Sequence, residues 1–132
     1  MSYVVVLTDG AEASDRLVIA ARRHSGGSAS LVLLTVLSGG LVAGIDPPSA
    51  RGRARRRLED EATERLARQL RRVGVQGRTL ALFGDPVDDT ILLTANLDAE
   101  AVVVAAEAAF VDRLRSRCPV PVFPVSQAEA PE

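Results

Sequence analysis

Lysine is missing altogether: all 16 basic residues in the 132-residue chain are arginine. A Schiff-base or lysine-nucleophile mechanism is thereby excluded. A single cysteine, Cys118, rules out an internal disulfide and fits a reducing compartment. A single histidine, His24, leaves a catalytic triad or a histidine-rich metal site without partners. Tryptophan is absent and aromatics make up only 3% of residues, so nucleobases have no row of rings to stack on. Glycine does not occur after Gly84, which removes a glycine-rich phosphate cradle from the rest of the chain. No apolar run nears the roughly 20 residues that span a bilayer, and the first strand begins without a basic and apolar leader. The expectation is a soluble cytoplasmic protein with no metal and no cofactor.

What is present reads as one α/β domain over residues 1–126, with 127–132 as a disordered tail. Net charge is −1, so nothing global demands nucleic acid or a membrane surface. The stretch Tyr3–Ser14 organises the rest. Val4 to Leu7 is a continuous apolar run, suited to a strand buried on both faces, and Thr8-Asp9-Gly10 breaks it. A helix follows from about Ala13 to His24, with Leu17, Ala20, Ala21 and His24 on its inner face and His24 partly buried at its end. Ser25-Gly26-Gly27-Ser28 stops it. Leu31–Leu37 is a second buried strand. Residues 38–50 read as a long loop, a candidate lid.

A long helix is expected from about Arg53 to Val73, with Leu58, Ala62, Leu66, Leu70 and Val73 as its apolar stripe. A third, edge-like strand follows at Arg78–Phe83. Gly84-Asp85-Pro86 starts the next helix, Asp85 as cap and Pro86 at the first position. That helix carries Val87, Ile91, Leu92 and Ala95. Ala101–Ala105 is a fourth strand, Ala108–Arg117 a short helix, and Cys118–Val125 a last extended segment in which Cys118 is a small buried filler. The alternation β-α-β-α-β-α-β-α-β implies a parallel sheet with helices on both faces.

Four segments together resemble the universal stress protein family. Val4-Val5-Val6-Leu7-Thr8-Asp9-Gly10-Ala11-Glu12-Ala13-Ser14 is similar to its opening strand and turn. Leu31-Val32-Leu33-Leu34-Thr35-Val36 is similar to its second strand. Gly84-Asp85-Pro86 with Ile91-Leu92 is similar to its Gly-(Asp/Asn)-Pro helix start, and Cys118-Pro119-Val120-Pro121-Val122 to the Cys-Pro-Val of its last strand. The resemblance implies an open five-stranded parallel sheet of order 3-2-1-4-5. It also implies a homodimer through the last strand, whose edge here is Val120, Val122, Phe123 and Val125. Many members bind ATP. There the aspartate ending strand one and the valine ending strand two touch the nucleoside, which makes Asp9, with Gly10 beside it, and Val36 the matching positions.

The family's phosphate motif, Gly-x2-Gly-x9-Gly-(Ser/Thr), has no counterpart. Strand four runs into Ala105-Ala106-Glu107-Ala108-Ala109-Phe110, and the motif alone would use nearly all of residues 105–119. Glu107 adds a negative charge where phosphates would lie. The expectation is a non-enzymatic protein that does not bind ATP and acts through dimerisation or a protein partner. The alternative is a nucleoside or small-ligand module using the cleft near Asp9, Gly10, Val36 and Glu107. Asp9 has a plainer reading as a turn residue bonded to the backbone ahead of it. Arg51 to Arg57 holds five arginines in seven residues. Of these Arg53, Arg55, Arg56 and Arg57 form a possible anion patch, with Glu59, Asp60, Glu61 and Glu64 as neighbours to pair with it. Nucleic acid is not expected without interleaved aromatics.

Overall fold

The computed structural model describes residues 2–24 and 28–127. Five parallel strands stand in the order β3-β2-β1-β4-β5: β1 (Tyr3–Leu7), β2 (Ser30–Leu37), β3 (Gly77–Phe83), β4 (Ala101–Ala105) and β5 (Val122–Val125). The central β1 pairs with β2 through Val5↔Val32 and with β4 through Val5↔Val102. The edge strands are β3 and β5, the first of which carries Arg78 and Thr79. Burial on two faces explains the continuous apolar runs of the inner strands, and period-two geometry splits each run between two cores.

Val4 and Val6 face one core with Leu17, Val18 and Ala21 of α1 (Asp15–His24) and Leu66 and Leu70 of α2 (Pro48–Val73). Val5 and Leu7 face the other with Val87 of α3 (Pro86–Leu97) and Leu114 of α4 (Val111–Arg117). Each fully buried valine contributes about 1.5–3 kcal/mol.

Helix boundaries follow local chemistry. Asp85 accepts from the backbone N–H of Val87 at 2.9 Å and of Asp88 at 3.0 Å, with Pro86 behind it at the first helical position. Gly74, at φ 81°, ends α2 by donating to the carbonyl of Leu70.

Several expectations need correction. The long helix starts at Pro48, five residues before Arg53, because a proline suits the first turn. The loop before it is accordingly shorter and contains a 3₁₀ turn at Gly39–Leu41. Arg53, Arg55, Arg56 and Arg57 therefore lie inside the helix, all exposed, and among the described residues none pairs with an acid. Arg55 instead covers the ring of Phe83 at 4.9 Å. The last helix starts at Val111 and not Ala108. In α3 the buried positions are Val87, Thr90 and Thr94, while Leu92 is 61% exposed. His24 is exposed, and its ring meets Phe123 at 4.5 Å.

At the last strand Val120 precedes β5 and, with Val122 and Cys118, packs on the α3–α4 side. Val125 packs on the α1–α2 side, and Phe123 is 38% exposed. Gln127, placed with the tail by sequence, is held by hydrogen bonds to Glu107 and Ser14, and Ser126 before it by one to Glu107. Residues 25–27 of the Ser-Gly-Gly-Ser stop and 128–132 of the tail lie outside the described residues. No described helix is long and apolar enough to cross a membrane.

Candidate functional site

The strand order reverses at β1, between β2 and β4, and open α/β sheets place their crevices outside the carboxyl ends of the strands at such a point. A cleft of about 360 Å³ opens there, at the lower end of the usual range for small-molecule sites. Leu34 and Val36 of β2, Val104 of β4 and Phe110 supply apolar walls. Asp9, Ser14, Glu107 and Gln127 supply polar ones. Three of the four residues singled out by sequence, Asp9, Val36 and Glu107, thus line one cleft. Gly10 does not line it, nor does any residue of 38–50, so that segment is no lid over it. The cleft is open, neither filled by Glu107 nor covered by the loop.

Asp9 performs the turn role in full. Its Oδ1 accepts from the N–H of Ala11 at 2.9 Å and from the hydroxyl of Ser14 at 2.7 Å. The hydroxyl hydrogen of Ser14 is therefore spent on Asp9, and its oxygen accepts from Nε2 of Gln127 at 2.6 Å. Glu107 holds the same C-terminal segment from the other side. Its Oε2 accepts from the hydroxyl of Ser126 at 2.8 Å, and its carboxylate accepts from the N–H of Gln127 at 3.1 Å. A chain of hydrogen bonds thus runs from the end of β4, through the exit of β5, to the β1–α1 turn. Ser14 lay inside a quoted motif without a role. Gln127 carried no signal at all, since its position depends on where β5 ends.

Gly10 belongs to the opposite side of the turn. It sits at φ 82°, and a Cβ there would meet Cβ of Arg65 at 3.0 Å and its backbone carbon at 3.1 Å. Only glycine combines that backbone conformation with that approach. Beneath it lies a polar lattice that sequence reading missed. Thr8 donates to Oε1 of Gln69 at 3.0 Å and accepts from the N–H of Gly10 at 3.2 Å. Gln69 is fully buried; its Nε2 donates to the carbonyl of Ala11 at 3.2 Å and to Oδ1 of Asp15 at 3.0 Å. Those last two partners only accept, which fixes the amide orientation. Arg72 closes the lattice with two bonds of 2.7 Å to Asp15 and one of 3.1 Å to the carbonyl of Gly10. The hydrogen bond from Arg72 holds the carboxyl of Asp15 below its usual range; partial burial opposes this and Gln69 adds to it. The only advance signal was a glutamine between Leu66 and Leu70.

At the start of α3, Asp85 is likewise held below the usual range. The N–H of Asp88 contributes most, and the charges of Arg113 and Arg117 contribute least, with slight burial opposing. Among the described residues no three His, Cys, Asp or Glu side chains are grouped to hold a metal. His24 and Cys118 do not line the cleft.

The model described as the universal stress protein family matches residues 1–123. Solved structures are similar over nearly the whole chain. One is a universal stress protein in complex with cAMP, 20% identical, covering 96% of this chain and 98% of that one, with a TM-score of 0.68. Another is the universal stress protein from Archaeoglobus fulgidus in complex with dAMP, 17% identical, covering 96% and 98%, with a TM-score of 0.62. A universal stress family protein from Burkholderia pseudomallei is 25% identical, covering 94% and 96%, with a TM-score of 0.58. Among the curated proteins compared by sequence, none matches.

Proposed function

The chain belongs to the universal stress protein family, and from that we propose that it is a non-catalytic binding module which takes a nucleoside-sized ligand in the cleft beside Asp9 and Val36 and does not hold ATP. The open cleft of about 360 Å³ at the carboxyl ends of β1, β2 and β4 carries this reading. Proteins of the same fold occur in complex with cAMP and with dAMP. The apolar walls of Leu34, Val36 and Phe110 suit a flat ring, and the carboxylate of Asp9 suits its polar end.

Triphosphate is a different matter. Cradling it takes free backbone N–H groups at close approach. In the segment after β4, the N–H of Ala106 already donates to the carbonyl of Val125 at 2.9 Å, and that of Ala108 to the carbonyl of Ala105 at 3.1 Å. No glycine stands in that segment. Neither His24 nor Cys118 lines the cleft, so among the described residues it offers no imidazole or thiol for catalysis.

Thermal-shift and calorimetric titrations with adenosine and ATP test this. Adenosine is expected to raise the melting temperature and ATP to leave it unchanged. If no nucleoside or nucleotide shifts it, the binding role fails. Micromolar ATP binding overturns the exclusion of triphosphate.

The same reading has the protein act as a cytoplasmic homodimer through β5. An unpaired outer edge with Phe123 38% exposed supports this. Light scattering on the wild type and on Phe123→Arg is expected to show a dimer that the substitution weakens. A monomer at high protein concentration removes this part.

A further inference from the structure

The chain returns to the cleft after its last strand. Gln127 stands two positions beyond β5 and lines the cleft with Asp9 and Ser14. Its N–H donates to the carboxylate of Glu107 at 3.1 Å, which anchors the backbone. Its side chain is anchored by Ser14, 113 residues away in sequence. The direction of each bond there is forced. The hydroxyl hydrogen of Ser14 goes to Oδ1 of Asp9 at 2.7 Å, because a carboxylate only accepts. Oγ of Ser14 must then accept, so the amide atom 2.6 Å from it is Nε2 of Gln127 and not Oε1.

Oε1 of Gln127 is left over. It makes no hydrogen bond among the described residues, and neither does Oδ2 of Asp9. The N–H groups of Gly10, Ala11, Ala106 and Ala108 are already committed, to Thr8, Asp9, Val125 and Ala105 respectively. This wall therefore offers acceptors to a ligand, while Leu34, Val36 and Phe110 offer apolar surface. A nucleoside divides in the same way. Its base is a flat ring that suits the apolar wall, and its sugar carries hydroxyl hydrogens that need acceptors.

We infer that Gln127 is a specificity residue of the cleft: its Oε1 accepts from a sugar hydroxyl, so the end of the chain selects nucleosides with an intact ribose over analogues without hydroxyls. This rests on the proposed ligand-binding role and names the part of the ligand that the polar wall reads. An amide already held at its backbone and its side chain loses little freedom when the ligand arrives. A ligand without hydroxyls leaves the acceptors of the wall desolvated and unbonded, and discrimination at such a site follows from that cost.

Calorimetry on the full chain with adenosine and 2′,3′-dideoxyadenosine, in the wild type and in Gln127→Leu, closes a thermodynamic cycle. The wild type is expected to bind adenosine at least about tenfold more tightly than the dideoxy analogue. Gln127→Leu should weaken adenosine about fivefold and leave the dideoxy analogue within about twofold of its wild-type affinity. The wild-type comparison needs no variant, so a poorly folded substitution does not decide the matter. Equal binding of the two ligands by the wild type overturns the sugar reading while leaving the binding role standing. An equal loss for both ligands in Gln127→Leu overturns the hydroxyl contact, and no loss for either overturns the role of Gln127. Absence of binding by both ligands overturns the binding role itself, and the selectivity with it.

Discussion

The turn after β1 has two sides, and they are built on opposite terms. Toward α2, its polar groups are matched: Thr8 with Gln69, Gln69 with Asp15, Asp15 with Arg72, and Arg72 with the carbonyl of Gly10. Toward the cleft, two carboxylates line an open volume that no arginine lines among the described residues. Buried polar groups are costly unless bonded, so the α2 side is closed where burial demands it. The cleft side leaves acceptor capacity that folding does not consume. Bonded polar groups are concentrated on one side of a short segment and the proposed binding cleft lies on the other, and substitutions on the two sides should separate stability from the proposed binding.

The largest effect belongs to Gly10. Gly10→Val would force a β-branched residue to φ 82° and drive its Cβ against the backbone of Arg65. A loss of about 3 kcal/mol is expected from the strain and the crowding together, read as a fall in the urea midpoint. Unchanged stability would mean that turn and helix are not coupled here. Gln69→Leu comes next. It leaves the hydroxyl hydrogen of Thr8 without its buried acceptor and takes one donor each from the carbonyl of Ala11 and the carboxylate of Asp15, which costs about 2 kcal/mol. Gln69 itself does not line the cleft, so ligand affinity per folded molecule should stay the same.

Acid should act on the α2 side in a defined window. The folded carboxyl of Asp15 titrates below its ordinary value of 3.8 because Arg72 is bonded to it. A depressed folded pKa gives stability that is complete above the unfolded value and is lost as pH falls through the folded one. Asp85 has the same sign, chiefly through the N–H of Asp88. Denaturation midpoints should therefore be flat above about pH 4.5 and fall below it. Asp15→Asn should flatten part of that acid slope. An identical slope in the variant would separate Asp15 from the acid response.

Some of this was readable in advance. Valine-rich runs closed by turn residues predict buried parallel strands, and all five are found near where they were expected. Asp85-Pro86 likewise announced a helix, because capping is local chemistry. What escaped depended on distance. Pro47-Pro48 looked like loop because prolines stop helices as well as start them, and only the structure distinguishes the two. Leu92 counted as apolar stripe by composition, yet Thr90 and Thr94 took the inward positions. Gln69 and Gln127 were invisible, since Gln69 meets all its partners across more than fifty intervening residues and Gln127 meets Ser14 across more than a hundred. Asp9 was legible as a candidate because a strand end has a predictable location, and Val36 only through the family resemblance; both line the cleft.

Asp9→Asn gives the smallest expected change in stability and the sharpest contrast between the two sides. Asparagine keeps an oxygen for the N–H of Ala11 and for the hydroxyl of Ser14, so the turn should survive within about 0.5 kcal/mol. What disappears is the charge and the second acceptor oxygen facing the cleft. Adenosine should then bind about tenfold more weakly, the scale of one charge-assisted hydrogen bond, while the urea midpoint stays in place. Gln69→Leu should do the converse, lowering the midpoint at constant affinity. Should Asp9→Asn lower the midpoint as far as Gln69→Leu does, Asp9 would belong to the structural side of the turn, and the division between the two sides would fall one residue further along the chain.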